Sequence, residues 1–295
     1  MPVRIGINPL IWTNDDLPAL GEENSLEMCL SEAKLAGYEG VELGRKFPRS
    51  PAVLGPLLSN HGLKLVSGWY SARLLERSPT EEIGSMQPHL KLLRALGSTA
   101  MVFAEVSRCV HGDQNAPLSD RPVLAEPEWK RLCRGLDEVA AYLARQGMAL
   151  AYHHHMGTVI QSEDEVDRMM AETSKSVGLL LDTGHLAFAG GDPLRAAGRH
   201  AARIVHVHCK DVRREKLALA RDRDLSFLDS VLGGAFAVPG GGSIDFAPIL
   251  EKLSQKGYRG WLVVEADQDP ARAHPLMHAR IGHDYLRPFA RKYWK

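Results

Sequence analysis

The chain has 295 residues, of which 44% are hydrophobic and 24% charged, ordinary values for a globular protein with a sizeable core. Lys and Arg together number 36, as do Asp and Glu, so no strong overall field favours nucleic acid or an anionic membrane. The four cysteines are scattered without a CxxC pair, which argues against a zinc ribbon or a disulfide framework and fits a reducing cytoplasm. The opening MPVRIGINPLIW lacks a signal-peptide layout, and no apolar run approaches the roughly 18 residues of a membrane helix. We therefore expect a cytoplasmic protein with no membrane or nucleic-acid partner.

Short apolar runs alternate with longer helix-like segments along the whole chain. The runs lack a clean alternation of polar and apolar residues, as expected for parallel strands that are buried on both faces. We predict eight strands, at 3–8, 40–44, 63–69, 99–105, 148–153, 177–182, 203–208 and 260–265.

The segments between these runs have helical periodicity and helix-end signals. Residues 25–37, 127–147 and 246–257 each close on a glycine, and 162–173 opens on a serine followed by acidic residues. Eight strands each followed by a helix predict a (β/α)8 barrel, which typically needs about 250 residues, so we expect one domain over 1–295. Two stretches, 106–126 and 209–243, are predicted to be long loops of a functional or lid-like kind.

A doubly wound open sheet is the alternative fold, but no G-x-G-x-x-G follows the first strand. The glycine-rich VPGGGSID (238–245) lacks the Lys-Ser/Thr of a P-loop. We therefore expect no nucleotide cofactor.

Charged or metal-binding side chains follow five successive strands, from the fourth to the eighth. They are Glu105, then His153, His154 and His155, then Asp182 with His185, then His208, and finally Glu265. In a closed barrel the C-terminal strand ends form one ring, where barrel enzymes carry their reacting groups. One such residue alone is more often a capping or solvated group, but carboxylates and imidazoles together suit Mn²⁺, Co²⁺ or Zn²⁺.

The histidine triplet and the lysine after strand seven allow more than one interpretation. Because side chains alternate along a strand, His153 and His155 can face the same side, whereas His154 faces the other. A surface polyhistidine patch is the alternative. Lys210 could stabilise an enolate or transfer a proton, since burial can tune a lysine toward neutral pH, or it could be a surface lysine paired with Asp211.

Polar and aromatic residues also follow the first three predicted strands. These are Asn8, Trp12, Glu42, Trp69 and Tyr70. Trp12 and Trp69 could form an apolar wall against a sugar ring, although tryptophans at barrel rims are also common packing residues.

Several motifs resemble one family across nearly the whole chain. LDTGH (181–185), HVHCKD (206–211) and VVE (263–265) resemble the xylose-isomerase-like TIM barrels, which include sugar isomerases, epimerases and a DNA-repair endonuclease. Within that superfamily, the combination of YHHHMGT (152–158), GHLAFAGGDP (184–193) and VHCKDVR (207–213) resembles the inosose dehydratases.

The resemblance implies a hydro-lyase that removes water from scyllo-inosose (2-keto-myo-inositol) to give a trihydroxycyclohexane-1,2-dione in myo-inositol catabolism. It implies a small cyclic polyol ketone as substrate and help from Mn²⁺ or Co²⁺, with Zn²⁺ as a third option. It also implies that Asp182, His208 and Glu265 bind the metal, together with a fourth ligand from strand five.

The fifth strand departs from the commoner pattern of the relatives, in which it supplies a glutamate. Here His153 stands at that place, and His155 stands where relatives have a histidine that contacts substrate. His153 is the first choice for the fourth ligand, and His155 and Glu105 remain alternatives.

Dehydration next to a ketone needs stabilisation of the enolate oxygen, a base for the acidic proton and an acid for the departing hydroxyl. A Lewis-acid metal provides the first. We expect the proton transfers to be shared among His155, His185, Glu105 and Lys210, with base and acid unassigned. We expect further substrate contacts from Asn8, Trp12, Trp69 and Arg214.

Other functions stay open on the sequence. A sugar isomerase or epimerase would also begin by enolisation of a ketose, through an enediolate. A nuclease with a three-metal cluster would need further strand-end histidines in the first half, and His61, His89 and His111 do not follow strands in that way. A non-enzymatic metal- or sugar-binding module has little support, and the sequence leaves homo-oligomerisation undecided.

Overall fold

Eight parallel strands form a closed barrel in the computed structural model, which describes residues 3–295. The barrel strands are β1 (Arg4–Ile7), β2 (Gly40–Leu43), β3 (Lys64–Ala72), β4 (Ala100–Glu105), β5 (Ala149–His153), β6 (Val177–Asp182), β7 (Ile204–Cys209) and β10 (Trp261–Val264). Two short strands, β8 (Asp211–Val212) and β9 (Phe236–Ala237), lie outside the barrel. The barrel closes in the order β1-β10-β7-β6-β5-β4-β3-β2, while β8 and β9 form a separate antiparallel pair.

Helices connect the barrel strands and surround them. They are α1 (Leu26–Leu35), α2 (Pro51–Asn60), α3 (Pro79–Ser85), α4 (Gln87–Ala95), α5 (Glu126–Arg145), α6 (Glu163–Glu172), α7 (Thr183–Phe188), α8 (Pro193–His200), α9 (Arg214–Asp222), α10 (Phe227–Leu232), α11 (Phe246–Gln255) and α12 (Pro275–Tyr293). Ser162 explains the predicted start of α6. Its hydroxyl accepts from the N–H of Glu165, and the Glu165 carboxylate accepts from the N–H of Ser162. Within residues 3–295, no helix has both the length and the apolar character needed to cross a membrane.

The (β/α)8 barrel and its eight predicted strands are confirmed. The prediction that 209–243 is a long loop is wrong, because this insertion contains α9, α10 and the β8–β9 pair. Its high charge conceals a short amphipathic helix in which Leu217 and Ala220 are buried and their neighbours are exposed. The single domain over 1–295 stays a prediction, and its first two residues lie outside the described range.

The two faces of the barrel strands carry different cores. Leu181 of β6 packs in the main core between strands and helices, whereas Leu180 and Ala151 of β5 lie in a small apolar cluster on the other face. Two residues further along the same face, the side chains change from apolar to ionisable, at Asp182 and His153. The functional side chains therefore begin where this inner apolar cluster ends.

The carboxylate of Asp211 organises the glycine-rich loop before α11. It accepts hydrogen bonds of 2.8–3.2 Å from the backbone N–H groups of Val212, Gly240, Gly242, Ser243 and Ile244. A side chain on Gly242 would clash with this carboxylate. Lys210 and Asp211 are both fully buried, so the alternative of a surface Lys210–Asp211 pair is wrong.

We expect the substitution Asp211→Ala to lower the free energy of unfolding by about 2–4 kcal/mol, because buried donors left without an acceptor cost about 1–3 kcal/mol each. Asp211→Asn keeps one acceptor oxygen and should cost less. Urea denaturation of both variants measures the loss. The matched control is Asp222→Ala at an exposed position of α9, and a loss for Asp211→Ala no larger than for this control would contradict the prediction.

Candidate active site

Neighbouring strands bring together, at the C-terminal end of the barrel, four side chains of the types that bind metals in proteins. Asp182 pairs with His208 in the register between β6 and β7, and Val263, two residues before Glu265, pairs with His208 between β10 and β7. His153 ends β5, the strand beside β6. All four ionisable side chains are almost fully buried.

One atom from each of these four residues lies within 4.8 Å of the others. Asp182 Oδ2 is 3.7 Å from His153 Nε2 and 3.5 Å from His208 Nδ1. His208 Nδ1 is 2.6 Å from Glu265 Oε2. Ligand atoms that surround one divalent ion at about 2.1 Å are roughly 3.0–3.4 Å apart, so the four atoms have a spacing close to that of a coordination shell.

Hydrogen bonds on the far side of both histidines leave one ring nitrogen of each directed at the cluster. His153 Nδ1 is 2.6 Å from the backbone carbonyl of His154, which leaves a lone pair on Nε2. His208 Nε2 is 3.1 Å from the carboxylate of Glu42, which leaves a lone pair on Nδ1. A carboxylate behind a metal-binding histidine fixes its tautomer and raises its basicity.

Unpaired polar atoms in the cluster also fit a metal ion. Asp182 Oδ2 is buried and has no hydrogen-bond partner, and His208 Nδ1 makes no well-directed hydrogen bond despite its short distance to Glu265. Burial disfavours the charged form of His208, but Glu265 and Glu42 outweigh it and raise the pKa of His208 well above its usual range. A proton and a cation would thus compete for the same nitrogen.

The carboxylate of Glu42 lies behind this cluster and bonds four neighbouring side chains. It accepts from Asn8 Nδ2 at 2.7 Å and from His206 Nε2 at 2.8 Å, and it also bonds Ser67 and His208. Although burial favours the neutral acid, His208 and His206 hold the pKa of Glu42 well below its usual range. Glu42 therefore orients two histidines and one amide as a charged group.

A second chain of ionisable groups runs beside the cluster. The rings of His155 and His185 lie 3.8 Å apart between centroids, and Lys210 Nζ is 2.9 Å from His185 Nε2. Lys210 Nζ is also 2.7 Å from Glu265 Oε1 and 2.5 Å from Asp267 Oδ2. Glu265 thus belongs to both groups, with one oxygen in each.

Burial has the largest effect on the pKa values of these ionisable groups, except for that of Lys210. It lowers the pKa values of His155 and His185 well below their usual range, and it raises the pKa of Asp267 to about 6 against the opposing effect of Lys210. For Lys210 burial is outweighed by Asp267 and Glu265, which raise its pKa. This direction is opposite to the lowered pKa expected for a buried lysine.

A cavity of about 600 Å³, counted with its open mouth, gives access to both groups. Its polar and aromatic lining includes Asn8, Asp15, Asp16, Glu42, Trp69, His153, His155, His208, Glu265 and Asp267. The Trp69 ring packs edge-on against His153 and His155 at 5.3 and 5.6 Å.

Three of the predicted site residues lie apart from this cavity and from both groups of ionisable side chains. Glu105 lies on the helix-facing side of β4, where its carboxylate accepts from the N–H groups of Leu74 and Ser107. Trp12 is fully buried and donates its Nε1–H to Glu32 at 2.6 Å. Arg214 is exposed at the start of α9 and lines a different surface groove.

Sequence reasoning gave Glu42 no role and missed Asp267. Both could have been found by the rule that identified the others, because Glu42 lies near the C-terminal end of β2 and Asp267 lies two residues after Glu265. Their alternation with apolar neighbours was the available signal.

This closed barrel with ionisable strand ends defines a class of protein. The family model described as "Xylose isomerase-like TIM barrel" matches residues 30–289, and the chain belongs to this family. A crystal structure of the IOLI protein with a bound zinc atom has a TM-score of 0.70 and 17% identity, covering 99% of this chain and 100% of that one. At this identity the likeness shows the fold alone.

Relatives of higher identity are similar to this chain over nearly its whole length. The rhizopine catabolism protein MocC of Rhizobium meliloti is 53% identical, covering 97% of this chain and 88% of its own. The inosose dehydratase of Geobacillus thermodenitrificans is 45% identical, covering 97% and 96%. The expected resemblance to inosose dehydratases is confirmed.

The contact between Glu42 and His208 leads to a prediction on metal affinity. We expect Glu42→Gln to weaken binding of a divalent metal ion by about 10–100-fold, because His208 loses the carboxylate that fixes its tautomer. Competition with a chromophoric chelator measures the affinity without reference to activity. Glu23→Gln, at an exposed position, is the control, and equal affinities for the two variants would refute the prediction.

Proposed function

We propose that this protein is a metal-dependent hydro-lyase that eliminates water from scyllo-inosose to give a trihydroxycyclohexane-1,2-dione. The observation that carries the proposal is the four-atom cluster of His153, Asp182, His208 and Glu265, three of which line one cavity together with the neutral His155. Relatives named inosose dehydratase, 41–45% identical over nearly the full length, support the prediction of a hydro-lyase that serves inositol catabolism.

The same four residues are proposed to hold one divalent cation, with Mn²⁺ or Co²⁺ as the first choices and Zn²⁺ as the third. Two carboxylate oxygens and two imidazole nitrogens are donors that these borderline ions accept. When bound, the ion supplies Lewis-acid polarisation of the ketone oxygen, which acidifies the neighbouring C–H bond.

His155 is the proposed base for the proton next to the ketone. Burial lowers its pKa, so the ring is neutral at pH 7. Its Nδ1 lies 2.8 Å from the backbone carbonyl of Met156, which places the N–H on that nitrogen and the lone pair on Nε2. The side chain lines the cavity, so a neutral acceptor is available to substrate.

Asp267 is the proposed acid for the departing hydroxyl. It lines the cavity, and burial raises its pKa to about 6, close to the range where a carboxyl can both donate and recover a proton. The C–H electrons form the new double bond as the C–O bond breaks, and the hydroxyl leaves as water with the proton from Asp267. The resulting enol becomes the dione by proton transfer, so no redox partner is needed.

His185 and Lys210 are proposed to return protons between the two ends of this reaction. His185 packs against His155 with the two rings tilted by 42°, and Lys210 bridges His185 and Asp267. Neither lines the cavity, so we assign them to proton redistribution rather than to direct contact with substrate. Glu105 is given no role, because it faces the helices.

Trp69 is proposed to contact the substrate directly, and Asn8 to help position it through the carboxylates around it. Trp69 offers an apolar ring face beside His153 and His155, suited to the C–H groups of a polyol ring. Asn8 is held by Glu42 and Glu265 at 2.7 and 3.2 Å, and its remaining carbonyl oxygen already caps the turn at Leu10. We expect Asn8 to act by orienting the carboxylates.

The direct test is incubation of the protein with scyllo-inosose and Mn²⁺ or Co²⁺ while the ultraviolet absorption of the dione is followed. We expect dione formation that a chelator abolishes and added metal restores. A panel of ketoses tests the isomerase or epimerase alternative, and a rhizopine is included because a rhizopine catabolism protein is 53% identical. Turnover of a ketose without dione formation from the inosose would reject dehydration.

We expect His155→Gln to lower kcat by about 10²–10⁴-fold, the usual contribution of a general base. Metal affinity should stay within about twofold, because His155 is not among the four clustered ligands. His61→Gln, far from the cavity, should change neither quantity. A loss of metal together with activity in the His155 variant would instead make His155 a ligand.

A further inference from the structure

A second cavity lies on the outer side of the segment that contains α9, α10 and the β8–β9 pair. It has about 780 Å³, counted with its open face, and shares no lining residue with the barrel cavity. The polar side chains around it are Arg213, Lys216, Gln268, Asp269, Arg272 and His278. We call it the outer cavity.

Three cations of the outer cavity have no carboxylate partner. Arg213 donates to the backbone carbonyls of Gly234 and Phe236 at 2.8 and 2.7 Å, and Arg272 donates to Leu232 at 3.2 Å. Within residues 3–295, neither these two arginines nor Lys216 forms an ion pair within 4.0 Å. Their backbone acceptors fix the guanidinium groups but leave the positive charge uncompensated.

The one carboxylate that lines the outer cavity, that of Asp269, bonds the backbone of its own loop. Asp269 Oδ1 accepts from the N–H of Ala271 at 2.9 Å. With three cations and one carboxylate, the outer cavity has a net charge of about +2 when its histidine is neutral. That charge matches a phosphate monoester, which carries about −1.5 to −2 near pH 7.

Gln268 provides an independent sign of a ligand. Its side chain is 4% exposed, and both its amide oxygen and its amide nitrogen lack a hydrogen-bond partner in the protein. Nδ1 of His278 is also buried and unpaired. Buried polar groups are nearly always paired, so an unpaired amide in a cationic cavity calls for a polar ligand.

We propose that the outer cavity binds a small phosphorylated molecule. Arg272 and Lys216 at the rim bind the phosphate oxygens. The Gln268 amide, whose polar atoms are covered in this conformation, bonds the same ligand when its side chain turns toward the cavity. The proposal is independent of the reaction in the barrel, because none of these residues lines the barrel cavity.

The test is calorimetric titration of the wild-type protein with inorganic phosphate at constant ionic strength in sodium chloride. Lys216→Gln and Arg272→Gln are each expected to weaken phosphate binding by about tenfold, since each removes a charge-assisted contact. Both side chains are exposed, so these variants should fold normally. Lys256→Gln removes the same charge at an exposed position outside the outer cavity and should leave the affinity unchanged.

Gln268→Leu tests the buried amide separately and is expected to weaken phosphate binding while Lys256→Gln does not. Titration with acetate distinguishes the ligand class. Acetate that binds as tightly as phosphate would assign the outer cavity to carboxylates and overturn the proposal. Phosphate affinity unchanged in both rim variants, or no phosphate binding by the wild-type protein, would also overturn it, whatever the outcome of the inosose assay.

Discussion

Buried negative charge at the C-terminal end of the barrel is the constraint on which the rest of the site depends. Glu42, Asp182, Glu265 and Asp267 are each at most 3% exposed, and Lys210 is the one lysine among them. Carboxylates taken out of water are costly unless partners compensate them. The histidines and the amide around these groups are arranged to provide that compensation, which explains why so many polar residues converge there.

The lysine alone does not balance four carboxylates, so a further positive charge is required. Without an ion, a proton on His208 provides part of it, consistent with the raised pKa of that ring. A divalent cation would provide more, and His208 Nδ1 and Asp182 Oδ2, which has no hydrogen-bond partner, would be among the atoms that hold it. Such a cation would replace the proton on His208 and add positive charge beside the buried carboxylates.

The sequence predicts most of this arrangement because parallel strands end in register. Asp182 and Glu265 each follow a continuous apolar run, His208 lies near the end of β7, and barrel closure alone brings such positions together. Glu105 ends an apolar run as well, yet its position in the pleat turns it toward the helices. Which of the alternating residues of β4 face the barrel interior depends on the register of that strand, and an unbroken apolar run does not show the register. Trp12 was misread because a short 3-10 helix at Pro9–Ile11 redirects the chain into the core.

The insertion at 209–243 shows why a high density of charged residues does not indicate a loop without helices or strands. Its apolar minority, including Phe227 and Phe236, forms a second core cluster apart from the main one. Phe236 lies 5.3 Å from the ring of His185 and 4.9 Å from Lys210 Nζ, and it also lines the outer cavity. On the neighbouring strand end, Asp267 bonds Lys210 while Gln268 faces the outer cavity. Phe236 therefore separates the outer cavity from the buried His185 and Lys210, and the Asp267–Gln268 peptide unit lies between the outer cavity and the barrel cavity.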